Sequence, residues 1–150
     1  MVLIPVSLRS IHGQCTSDLS ELLDPVDAAY NHNGPITKCL QGTHERLIAT
    51  IVWWIDGDMD HLICWLNRPA GSGKLAVLQT VAELCDASRR LVVSFFFLRG
   101  AGDCSRITCL IPTLTYQLSI SIPVTKPFIE HMLHADPLIV QQALHYQFQK

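Results

Sequence analysis

The sequence predicts an α/β fold: a parallel βαβ core with flanking helices. Three observations lead there. LICWLN, Leu62 to Asn67, is a short, mostly apolar run of the kind that forms a strand buried on both faces. A glycine-rich word, PAGSGK, follows it and opens a helical pattern. A second apolar run, LVVSFFFL (Leu91 to Leu98), comes next, and a strand–helix–strand order in one parallel sheet closes as a right-handed crossover.

The remaining elements follow in order. Residues 1–35 read as an irregular, short-helical segment, and 36–150 as part of the α/β domain. Pro5, Pro25, Pro35 and the turn NHNG at 31–34 break the first segment, leaving room for a short helix from Asp18 to Leu23. Leu47, Ile48, Ile51, Val52 and Ile55 recur at helical spacing, with Thr43 as the expected N-cap. Trp53 and Trp54 close that helix, either as core anchors or packing against a neighbour outside this sequence. Asp56, Asp58 and Asp60 lie in a polar break and read as solvated charges. Leu78, Val81, Ala82 and Cys85 mark one face of a helix ending near Ala87. Ile107, Leu110, Ile111, Leu114 and Leu118 mark another, and Pro123, Pro127 and Pro137 delimit shorter helices at 126–135 and 138–148.

Composition excludes several classes. Hydrophobic residues make up 49% and charged residues 16%, which argues against long disorder. The apolar excess also points to a surface that a protein partner or a second copy covers. The net charge is -2 and the basic residues are scattered, so no nucleic-acid partner is expected. No apolar run approaches the roughly 20 residues of a spanning helix, and MVLIPVSL lacks the basic flank of a signal peptide. Six cysteines without a C-x-x-C pair suggest free thiols in a reducing, cytoplasmic setting, with Cys64 and Cys85 as small core residues.

The glycine-rich word carries the chemistry. In the pattern G-x-x-x-x-G-K-[ST], glycines let backbone N–H groups converge on phosphates, a helix N-terminus adds partial positive charge, lysine reaches the β- and γ-phosphates, and a hydroxyl holds Mg²⁺. Pro69, Ala70, Gly71, Ser72, Gly73 and Lys74 fill its centre, and Leu75 takes the hydroxyl position. Arg68 stands where the first glycine belongs. A nucleotide, ATP or GTP, is the expected ligand, with Mg²⁺ held weakly through water and hydrolysis not expected. Arg99, after the second apolar run, is weighed as a further phosphate contact against a plain surface charge. His131, His134 and His145 lack partners at metal-ligand spacing and read as surface histidines; Cys104 and Cys109 read as free thiols.

Together these words resemble the fungal NACHT-type P-loop NTPases, also described as the nephrocystin-like N-terminal domain of STAND-class, NOD-like receptor proteins. The matching stretches are KCLQGTHERLIATIVWWI (Lys38 to Ile55), LICWLNRPAGSGKLAVLQTVAELC (Leu62 to Cys85), LVVSFFFLRG (Leu91 to Gly100), IPTLTYQLSISIP (Ile111 to Pro123) and HADPLIVQQALHYQFQK (His134 to Lys150). The resemblance implies phosphate contacts from Gly71, Ser72, Gly73 and Lys74, with Pro69 and Ala70 shaping the loop. Family members continue to a Walker B strand, which is not read in this sequence, so the resemblance implies that residues 36–150 are the incomplete N-terminal part of a P-loop NTPase domain whose full members switch between ADP- and ATP-held states. Arg68, Leu75 and His44 (after Thr43, where the family usually has arginine) depart from the family pattern. Two rivals remain: a non-catalytic protein-interaction module or truncated remnant that binds no nucleotide, and a small P-loop kinase, which would need a lid beyond the isolated Arg99 and Arg106.

Overall fold

The computed structural model describes residues 2–5, 19–31, 38–57, 63–98, 100 and 102–147. Asp58, Asp60, Leu62 and Arg99 lie outside them. The chain forms two compact units, Met1–His32 with Leu91–Lys150, and Asn33–Arg90.

The first unit is mainly helical. Strand β1 (Val2–Pro5) pairs antiparallel with β2 (Leu91–Phe95), and the register slips between Ile4 and Pro5. Proline has no N–H to give the ladder, so an irregularity there is expected. The other edge of β2 is taken by groups that are not a strand. Ser121 Oγ donates to the Val92 carbonyl (2.7 Å). The Ser94 N–H donates to Gln117 Oε1 (2.8 Å), and Gln117 Nε2 donates to the Ser94 carbonyl (2.9 Å). The Phe96 N–H donates to the Ala28 carbonyl (2.8 Å). One glutamine side chain thus satisfies both backbone groups of a residue that is 1% exposed.

Helix α1 (Leu19–Leu23) stops before Pro25, which cannot continue a helix. Leu19 and Leu23 pack with Leu133 and Ile139. Helix α4 (Leu110–Ser121) carries Pro112 in its first turn, where the missing N–H costs nothing. Its Leu110 packs with Ala28 and Phe95, and the Phe95 and Phe97 rings meet at 4.7 Å, tilted 55°. Pro127 lies in the first turn of α5 (Lys126–Ala135). The expected helix over 138–148 is instead a 3₁₀ turn, Ile139–Gln141, followed by α6 (Leu144–Gln147).

The second unit pairs α2 (Glu45–Asp56) with α3 (Lys74–Ala87). Val77, Val81, Ala82 and Cys85 of α3 are buried; the last three were expected from their spacing. Helix α3 ends in a Schellman arrangement. The Arg90 N–H donates to the Cys85 carbonyl (2.7 Å) and the Arg89 N–H to the Asp86 carbonyl (2.8 Å), with Arg89 at φ 55°. Arg90 then pairs with Asp56, so Asp56 is not a purely solvated charge.

The α/β expectation is therefore overturned. The described residues are mainly helical, and the strands among them pair antiparallel, so no parallel βαβ core is formed among the described residues. Residues 63–67 are irregular, with Ile63 81% and Trp65 84% exposed. Leu91–Phe95 does form a strand, but its neighbour is the N-terminal Val2–Pro5. A strand exists only where a partner accepts its ladder, and apolar character alone cannot supply one. Cys64, expected in a core, is exposed with the rest of its run. Thr43 does not cap α2: its hydroxyl donates to the Leu40 carbonyl (2.6 Å), and the N-cap is His44. Trp53 is 65% exposed, which overturns the core-anchor alternative for it.

Candidate phosphate-binding loop

The predicted site residues form one continuous turn at the start of α3, within the second unit. Gly71 (φ 77°) and Gly73 (φ 74°) both adopt the left-handed conformation that glycine takes without strain, and Gly73 is the N-cap of α3. The Ser72 N–H reaches back to the Pro69 carbonyl (3.4 Å). The first helical bond runs from the Val77 N–H to the Gly73 carbonyl (3.0 Å), and no side chain caps this end. The N–H groups of Lys74, Leu75 and Ala76 therefore have no intrahelical partner, and the positive end of a 14-residue helix dipole opens on the loop.

Lys74 folds back over this turn. Its Nζ donates to the carbonyls of Arg68 (2.7 Å) and Pro69 (2.8 Å). Arg68 thus joins the site through its backbone. Ser72 Oγ is buried without a hydrogen-bond partner. Leu75 is 43% exposed and brings no oxygen to the position after the lysine.

His44 was not assigned to this site from the sequence. A Cβ on Gly73 would lie 3.2 Å from His44 Nε2, so the imidazole rests against the loop. His44 itself has φ 56°, an uncommon conformation for a residue with a side chain. Its separation of 29 positions from Gly73 hid it, because no local spacing rule links the N-cap of one helix to the N-cap of the next.

The other candidates lie in the first unit. Arg106 pairs with Asp103 (2.9 Å). His131 and His134 are exposed on α5, and among the described residues no group of three or more His, Cys, Asp or Glu side chains gathers as a metal site. Cys104 Sγ donates to the Asp27 carbonyl (3.3 Å). Burial, then the nearby Asp27 and Asp103 charges, push its thiol pKa up. Burial alone raises that of Cys85. Among the described residues no single helix is long and apolar enough to cross a membrane.

A helical domain with a glycine-rich, lysine-bearing turn at an uncapped helix N-terminus is the class that these features define. The model of the nephrocystin 3 N-terminal family matches residues 42–150, which include His44, the whole loop and every element from α2 to α6. The chain belongs to this family. No curated protein and no solved structure matches it.

Proposed function

We propose that residues 68–75 bind the phosphates of a nucleoside triphosphate, ATP or GTP, without efficient turnover. The observation that carries this reading is the Lys74 ammonium drawn across the loop onto the Arg68 and Pro69 carbonyls. A phosphate entering the turn would exchange those two carbonyls for charged oxygens, which make hydrogen bonds roughly twice as strong. It would also meet the free N–H groups at the start of α3 and the unpartnered Ser72 hydroxyl. With Leu75 in place of a hydroxyl, Mg²⁺ would be held by phosphate and water alone, a weak arrangement. The resemblance to NACHT-type STAND proteins of fungi supports extending this to a nucleotide-sensing, self-associating role in the cytoplasm.

The test is equilibrium binding of a fluorescent ATP analogue, with and without Mg²⁺, to the parent chain and to Lys74→Ala and Leu75→Ser. Lys74→Ala abolishes binding, and Leu75→Ser makes it more Mg²⁺-dependent. Binding that Lys74→Ala leaves intact refutes the assignment. One observation favours the rival reading of a nucleotide-free interaction module: the exposure of Ile63 and Trp65 immediately before the loop. A folded chain that binds no analogue in any variant would select it.

A further inference from the structure

The side chain of His44 joins the starts of two helices. His44 is the N-cap of α2, as Gly73 is the N-cap of α3, and both are left-handed, at φ 56° and φ 74°. Neither helix start has a side-chain cap. The first bond of α2 runs from the Ile48 N–H to the His44 carbonyl (2.9 Å), so the N–H groups of Glu45, Arg46 and Leu47 lack intrahelical partners, like those of Lys74, Leu75 and Ala76. The imidazole thus reaches from one positive helix end to the other. The turn that places it is tied down: Thr43 donates both its N–H (3.0 Å) and its hydroxyl (2.6 Å) to the Leu40 carbonyl. Left-handed backbone at a residue with a side chain is strained, and such strain concentrates where ligands are held.

The polar edge of the ring is what meets the loop. A Cβ on Gly73 would lie 3.2 Å from His44 Nε2 and 3.9 Å from Cδ2. That Cβ is one bond from Cα, so Nε2 lies within about 5 Å of the Gly73 Cα. The Gly73 and Lys74 N–H groups flank this carbon, and two hydrogen bonds of about 2.9 Å converging on one phosphate span the gap. The neighbouring charges are mostly cationic: Glu45 and Arg46 on α2, Arg68 and Lys74 at the loop. The carboxylates of α3, Glu83 and Asp86, lie 9 and 12 residues beyond Lys74, roughly 13 and 18 Å along the axis. Glu83 pairs with Lys38 (3.6 Å), and Asp56, at the far end of α2, pairs with Arg90. The thiols of Cys39 and Cys64 complete the titratable groups among the described residues leading into α2 and the loop. A bound phosphate supplies the negative charge that an imidazolium answers, and histidine is the side chain that gains its charge across neutral pH.

We propose that His44 is a protonatable phosphate contact: its imidazolium donates from Nε2 to a phosphate held by the loop, so nucleotide binding takes up a proton. This rests on the phosphate reading of residues 68–75. The protonated form binds better, so the gain is full at acidic pH and is lost as pH rises through the histidine range. The test titrates a fluorescent ATP analogue, without Mg²⁺, into the full chain at about pH 6 and about pH 8. His44→Asn removes the charge with a residue that tolerates the left-handed backbone, and His44→Arg makes the charge permanent. A terminal phosphate itself titrates near pH 6, so the readout is the ratio of parent to variant affinity at each pH, in which that effect cancels. The parent binds on the order of 3- to 10-fold more tightly than His44→Asn at the lower pH and equally at the higher, the size of one charged but exposed hydrogen bond. His44→Arg exceeds His44→Asn by the same factor at both. The proposal is overturned if the parent-to-Asn ratio does not change with pH, or if His44→Arg keeps the parent's pH step. Where Lys74→Ala still abolishes binding in those cases, the loop reading stands without His44. Binding that survives Lys74→Ala, or no binding by any variant, overturns both.

Discussion

Alanine at the two loop glycines separates backbone strain from side-chain contact. Gly71 sits at φ 77°, and a Cβ there would meet nothing within 4 Å. Gly71→Ala therefore tests the conformation alone. The left-handed region costs an L-residue about 1–2 kcal/mol, offset by about 0.4–1 kcal/mol because alanine restricts the unfolded chain. The net expectation is a loss of about 1 kcal/mol. Gly73 has nearly the same φ, 74°, but its Cβ would press on His44 Nε2 at 3.2 Å. His44 is exposed, so its ring can yield, and the contact adds only a few tenths of a kcal/mol, well short of a core clash. Gly73→Ala should thus be slightly worse than Gly71→Ala, and His44→Ala should remove the difference. Thermal unfolding resolves this: about 1 kcal/mol shifts Tm by roughly 2–4 °C at this chain length, and the double-mutant cycle gives the coupling. If Gly71→Ala is as stable as the parent, the left-handed turn is not the native one and the loop geometry described above is wrong. If the Gly73 and His44 effects simply add, the two residues are not in contact.

Two further outcomes follow from single positions. Arg89 holds the left-handed place of the Schellman end of α3, at φ 55°, where glycine is the usual residue; Arg89→Gly should stabilise the chain by up to about 1 kcal/mol, read as a higher denaturation midpoint at unchanged slope. Gln117→Leu removes the partner of both the Ser94 N–H and its carbonyl, and two buried orphans at about 1–3 kcal/mol each predict a loss of roughly 2–6 kcal/mol; a loss below about 1 kcal/mol in urea unfolding would show that Gln117 does not seal that strand edge.

Much of the candidate site was legible because it is local. Gly71, Gly73 and Lys74 lie within four positions, and their roles depend on φ and on the start of a helix, both encoded nearby. Lys74 reaching back five and six residues to Pro69 and Arg68 is within the span of one turn. The helical faces were legible for the same reason: Val81, Ala82 and Cys85 return to one side every three to four residues. The resemblance reached further than spacing did, to a family whose model covers residues 42–150, whereas the parallel sheet expected from the two apolar runs is not formed among the described residues.

What the amino-acid order determined by itself was the loop, its lysine and the helix that starts there, since glycine conformation and helical period act over a few neighbouring residues. What only the tertiary structure decided was the fate of the two apolar runs. Leu91–Phe95 became a strand because Val2–Pro5 pairs with one edge and Gln117, Ser121 and the Ala28 carbonyl satisfy the other. Residues 63–67, just as apolar in the sequence, stayed irregular and exposed. A helix closes its hydrogen bonds within itself, whereas a strand depends on donors and acceptors brought from far along the chain, and no local pattern records whether they arrive.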